Sequence, residues 1–75
     1  MNTIGVLGAG VMGTGVAQLA AQAGYAVIIR DLKQSLLKES LKNIRANLEQ
    51  QIDAGQLEPV HRDGIVDRIR RSTDL

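Results

Sequence analysis

The sequence predicts an α/β fold, half of a doubly wound parallel sheet, on three observations. Two short runs of mostly apolar, β-branched character, Thr3-Ile4-Gly5-Val6-Leu7 and Ala26-Val27-Ile28-Ile29-Arg30, flank a segment with helical spacing. Gly8, Gly10 and Gly13 crowd the junction between the first run and that segment. Formal charge is absent from Ile4 to Ile29 although 23% of the 75 residues are charged, and it returns abruptly as Arg30-Asp31.

The first run reads as a strand buried on both faces, as parallel strands commonly are. From Val11 to Ala23 the residues suit a helix, with Val16, Leu19, Ala20 and Ala23 at helical spacing as its apolar face. Gly24 stands where helices often end in a left-handed residue. The second run then completes a βαβ unit, whose crossover should be right-handed. Beyond Asp31, Leu37, Leu41, Ile44, Leu48 and Ile52 recur every three or four residues among charged ones, predicting a long amphipathic helix. Ser35 is its expected N-cap and Gly55 its stop. Pro59 suits the first turn of a further helix running through Val60, Ile65, Val66 and Ile69. Gly64 inside that helix costs about 1 kcal/mol against alanine. Arg71 to Leu75 can begin a third strand. Two or three parallel strands make at most half of a doubly wound fold, so the inner edge of the sheet is expected to lack its neighbour.

Composition narrows the function. The chain has no cysteine, which excludes disulfides and thiolate metal ligands. With no Phe or Trp and one Tyr, the core must be aliphatic. A net charge of +1 argues against nucleic acid as a partner. The uncharged stretch is long enough to span a bilayer, but Thr14, Gln18, Gln22 and six glycines interrupt it and no basic flank precedes it, so no membrane role is expected. The N-terminus MNTIGV lacks the basic region of a secretory signal, which makes the cytoplasm the expected location.

Gly8-Ala9-Gly10-Val11-Met12-Gly13 matches G-x-G-x-x-G in its required setting, after a strand and at the start of a helix. Gly8 permits the tight turn, Gly10 lets a pyrophosphate approach the backbone, and Gly13 lets helix and strand pack closely. The free N–H groups from Val11 to Gly13 can face a diphosphate. Gly15 is expected to extend the close contact. Asp31, 18 residues after Gly13 at the end of the second strand, can accept hydrogen bonds from the adenine-ribose hydroxyls. These features define a dinucleotide-binding Rossmann unit with NAD as cofactor, because the same carboxylate repels a 2′-phosphate. Arg30 beside it offers that phosphate a partner, which leaves NADP open. A unit whose glycines serve packing alone, with Asp31 a solvated turn residue, is the competing reading. A P-loop is excluded because Thr14 follows Gly13 in place of lysine.

Beyond the bare motif, Ile4 to Gln18 resembles the N-terminus of the 3-hydroxyacyl-CoA dehydrogenase family. Val27-Ile28-Ile29-Arg30-Asp31 resembles its bacterial 3-hydroxybutyryl-CoA dehydrogenase branch, as do Ile44 to Leu48, Gly55-Gln56-Leu57 and Arg68 to Leu75. The resemblance implies a cytoplasmic oxidoreductase of fatty acid metabolism that interconverts 3-hydroxyacyl-CoA and 3-ketoacyl-CoA with NAD, as a homodimer. It implies that residues 1–75 are the N-terminal part of the dinucleotide-binding domain, with its remainder, the C-terminal helical domain and the catalytic His and Glu outside this sequence. His61 lacks that histidine's surroundings and reads as a solvated helix residue. Asn47 fits a polar position beside the acyl-CoA, whereas Gln50 and Ala54 bring no charge where the family often has lysine. Arg68, Arg70 and Arg71 read as a solvated helix end. A hydroxy-acid dehydrogenase acting without CoA and a nucleotide-binding module without chemistry are the alternatives.

Overall fold

The computed structural model describes residues 2–74. The elements run β1 (Thr3–Leu7), α1 (Val11–Gln22), β2 (Ala26–Arg30), α2 (Gln34–Asp53), α3 (Pro59–Asp67) and β3 (Ile69–Ser72). All strand pairs are parallel, in the order β1-β2-β3. This is the expected partial Rossmann arrangement, with β1 at one edge.

The strands are half-buried, contrary to the expectation of burial on both faces. Register places Ile4 beside Val27 and Val6 beside Ile29, with Ile69 next to Val27. These residues meet Ala17, Ala21, Leu37, Ile44, Leu48 and Ile65 in one aliphatic core. The other face carries Thr3, Gly5 and Leu7 of β1, and Leu7 is 77% exposed. The described helices share this one core and so cover one face of the sheet.

The buried face of α1 also differs from the expected one. Thr14, Ala17, Gln18 and Ala21 turn inward, while Val16 and Leu19 are exposed. The cause is proximity. Ala17 and Ala21 fit beneath the helix where it lies close to the sheet, and Thr14 and Gln18 meet Ser40 and Asn47 of α2. At its far end, Tyr25 N–H donates to Ala20 C=O and Gly24 N–H to Ala21 C=O, and Gly24 has φ +100°. The paired bonds form the glycine-terminated helix stop that the sequence predicts.

On α2, Leu37, Ile44 and Leu48 are buried as expected and Ser40 joins them, while Leu41 and Ile52 are half-buried. Ser35 is not its N-cap. The helix starts two residues earlier than such a cap would set it, at Gln34 after Lys33, whose N–H is taken by the Asp31 carboxylate at 2.9 Å. A two-residue turn closed by Asp31 therefore sets the entry to α2. Helix α3 begins at Pro59 and ends at Asp67. Ile69 belongs to β3, which starts two residues before the expected strand; Leu75 lies outside the described residues. Of the arginine cluster only Arg68 stands at a helix end, as the C-cap of α3. Arg70 and Arg71 are strand residues, and Arg68 donates to the Ala21 carbonyl at 2.9 Å, favourably placed at the negative end of α1. His61 is exposed on α3 beside Glu58, as expected of a solvated residue. Among the described residues no helix is long and apolar enough to cross a membrane.

Candidate functional site

The chain leaves β1 through Gly8, whose φ of +93° is a backbone state that a side chain would oppose. Its N–H donates to the Arg30 carbonyl at 2.7 Å, tying the turn to the end of β2. Gly10 is the N-cap of α1 in extended conformation, with no side-chain cap, and Thr14 N–H makes the first helical bond to its carbonyl at 2.9 Å. The N–H groups of Val11, Met12 and Gly13 thus have no acceptor within the helix. Val11 and Met12 are 95% and 84% exposed. A β-carbon on Gly10 would meet nothing within 4 Å of it.

Gly13 is the opposite case. A β-carbon there would sit well inside contact with the Gly8 carbonyl oxygen, and 3.3 Å from Val6 Cγ1. The tight turn expected at Gly8 and the close packing expected at Gly13 thus match their surroundings. Gly15 does not extend the close contact, since nothing lies within 4 Å of its β position. Two residues beyond the point of contact at Gly13, α1 has already turned that position away.

Asp31 stands half-buried at the end of β2, and its carboxylate is engaged on both oxygens. Lys33 N–H donates to Oδ1 at 2.9 Å and Ala9 N–H to Oδ2 at 3.0 Å. The bond from Lys33 and then that from Ala9 hold the carboxyl below the usual aspartate range, with the Lys33 charge adding to them. An ionised carboxylate has about four acceptor sites, so two remain for a ligand. Leu7, Gly8, Arg30, Asp31, Leu32 and Lys33 line a hollow of about 440 Å³. Arg30 reaches this hollow while donating to the Asp74 carbonyl at 3.2 Å.

Asn47 lies apart, on the α2 side of a cleft of about 540 Å³ that extends to Gly10 and Val11 at the mouth of α1. Its amide donates to Gln18 Oε1 at 3.1 Å. Glu39 is the one charged side chain lining this cleft among the described residues. Of the sequence-predicted residues, Gly8 and Asp31 line the hollow, Ala9, Gly10 and Val11 line the cleft together with Asn47, and Met12 and Gly13 line neither. The structure also brings in two residues missed in the sequence, Thr14 and Ser40, whose hydroxyls meet at 2.7 Å. Their signal was a serine in the otherwise apolar series Leu37, Ile44, Leu48. Among the described residues no group of three or more acids or histidines could hold a metal ion.

Comparison with known proteins points the same way. The chain is 39% identical over 71 residues, 95% of its length, to a probable 3-hydroxybutyryl-CoA dehydrogenase of Deinococcus radiodurans, covering 25% of that protein. It is 33% identical over 75 residues to the 3-hydroxybutyryl-CoA dehydrogenase of Mycobacterium tuberculosis, covering 26% of it. The crystal structure of the Escherichia coli 3-hydroxybutyryl-CoA dehydrogenase superposes on the whole chain with a TM-score of 0.93 at 30% identity, over 16% of that chain. The chain thus spans about a quarter or less of the length of these relatives. Residues 3–75 match the family described as 3-hydroxyacyl-CoA dehydrogenase, NAD binding domain, and the chain belongs to that family.

Proposed function

We propose that Gly8 to Gly13 and Asp31 hold NAD in an oxidoreductase that interconverts 3-hydroxyacyl-CoA, with 3-hydroxybutyryl-CoA the preferred substrate, and 3-ketoacyl-CoA. One observation carries the reading: the mouth of α1, open at Gly10, stands beside a carboxylate already fixed to its turn. The N–H groups of Val11, Met12 and Gly13 would take the diphosphate, and the spare acceptor sites of Asp31 the ribose. The cofactor supplies the hydride acceptor; this chain supplies its grip and orientation. Residues 1–75 are, on this reading, the N-terminal part of the dinucleotide-binding domain of a cytoplasmic homodimer. The remaining strands and the helical domain that brings the catalytic His and Glu cover the exposed edge of β1.

Titrating the purified protein with NADH and NADPH tests the cofactor assignment. NADH is expected to bind more tightly, by about tenfold or more, since the carboxylate repels a 2′-phosphate. The reverse order would mean that Arg30 outweighs Asp31.

Asn47, across the cleft, is the proposed contact for the acyl-CoA. A substrate without CoA is the second reading, favoured by the lining of that cleft, where no cation is present among the described residues to meet CoA phosphates. In the full-length enzyme, oxidation of 3-hydroxybutyryl-CoA against free 3-hydroxybutyrate separates the two, and faster turnover of the thioester is the expected result. Preference for the free acid would remove Asn47 from a CoA site.

A further inference from the structure

We infer that Thr14 and Ser40 are positioning residues for the phosphate-binding turn, holding the Ala9 peptide from one side while Asp31 holds it from the other; this rests on the NAD reading above. The geometry is specific. Thr14 Oγ1 donates to the Ala9 carbonyl at 3.3 Å and meets Ser40 Oγ at 2.7 Å. A hydroxyl has one hydrogen. With that of Thr14 given to Ala9, the short bond is donated by Ser40, and the order runs Ser40 to Thr14 to Ala9. The Ala9 N–H is bound in turn by Asp31 Oδ2 at 3.0 Å. Both polar groups of this residue are therefore held, the carbonyl by Thr14 of α1 with Ser40 of α2 behind it, and the N–H by Asp31 just after β2.

A planar trans peptide converts this hold into an aim. The Ala9 carbonyl and the Gly10 N–H belong to one rigid unit and point in opposite directions. Fixing the carbonyl on Thr14 therefore directs the Gly10 N–H the opposite way, at the start of α1. Ala9 itself is 5% exposed, so water cannot readily replace the protein partners.

The residue types agree with such a role. Serine and threonine inside helices usually bond back to their own helix. Here Thr14 turns to the loop and Ser40, 1% exposed, turns to the neighbouring helix. A buried hydroxyl without a partner is unfavourable. Ser40 therefore fixes the register of α2 against α1, and through Thr14 the attitude of the turn.

The test compares Thr14→Val, Thr14→Ser and Ser40→Ala in the purified protein, with NADH, ADP-ribose and adenosine as probes. Thr14→Val is expected to weaken NADH and ADP-ribose about 5- to 10-fold while leaving adenosine within about twofold, because the diphosphate alone reads the turn. Thr14→Ser restores binding to near the parent value. Ser40→Ala, which keeps the bond to Ala9 and removes the donor behind it, gives a smaller loss in the same direction. Amide hydrogen exchange without ligand is the second readout. Ala9 should be protected in the parent and exchange faster in Thr14→Val and Ser40→Ala. Equal losses for NADH and adenosine, no rescue by serine, or unchanged exchange at Ala9 would each overturn the inference. A parent protein that binds no NADH would end the cofactor reading instead, and the exchange measurement would still decide whether the turn is held as described.

Discussion

Replacing Gly13 with alanine is expected to destabilise the protein by about 3 kcal/mol or more and to remove measurable NADH binding with it. The added methyl would lie well inside contact with the Gly8 carbonyl oxygen, 3.1 Å from the Gly8 carbonyl carbon and 3.3 Å from Val6 Cγ1. None of these can yield cheaply. Gly8 is held at φ +93° with its N–H bound to Arg30, and Val6 is 7% exposed in the aliphatic core. The helix would have to lift from β1, carrying its free N–H groups away from the turn. Gly15→Ala is the control, since it meets nothing within 4 Å and gains helix propensity of up to about 1 kcal/mol. Denaturant unfolding of the two variants should therefore move in opposite directions. A Gly13→Ala protein with the parent's midpoint would show that α1 does not pack on β1 as closely as the structure has it.

That contrast also shows what could be read in advance. The turn at Gly8 and the close contact at Gly13 were legible because each answers a local demand that residue type alone expresses. The faces were harder. Val16 and Leu19 looked inward by size, yet Ala17 and Ala21 are the residues at 0% exposure, because how closely a helix approaches a sheet is a tertiary fact. Ser35 was the nearest capping residue type to the start of α2. The entry is set instead by Asp31, whose pairing with Lys33 N–H depends on where β2 ends. Ile69 continued the helical series of α3 by spacing, but pairing with Val27 claims it for β3. In the site, the second task of Asp31, its bond to Ala9 across 22 residues, has no counterpart in local pattern.

That second task shapes what Asp31 variants should do. Asp31→Ala is expected to weaken NADH binding roughly 10- to 150-fold, the range for losing hydrogen bonds to a charged group. From the ribose role alone NADPH would be spared. Because the carboxylate also holds Ala9, part of the loss should be common to both cofactors, with NADPH affected less. Asp31→Asn separates the contributions: its amide oxygen can still accept from Ala9, while the charge is gone and the NH₂ group cannot accept from Lys33. It should therefore recover part of the affinity lost in the alanine variant. The pH dependence gives an independent check. Backbone donation by Lys33 and Ala9 depresses the Asp31 pKa, so its contribution is complete above the ordinary aspartate value near pH ~4 and is lost as pH falls through the lower folded-state value. Binding of NAD⁺ should be level with respect to this group from neutrality down to about pH 5 and decline in stronger acid, and the asparagine variant should lack that component. Identical acid limbs for the parent and Asp31→Asn would mean that another group governs the loss, and that the carboxylate neither holds the turn nor receives the ribose.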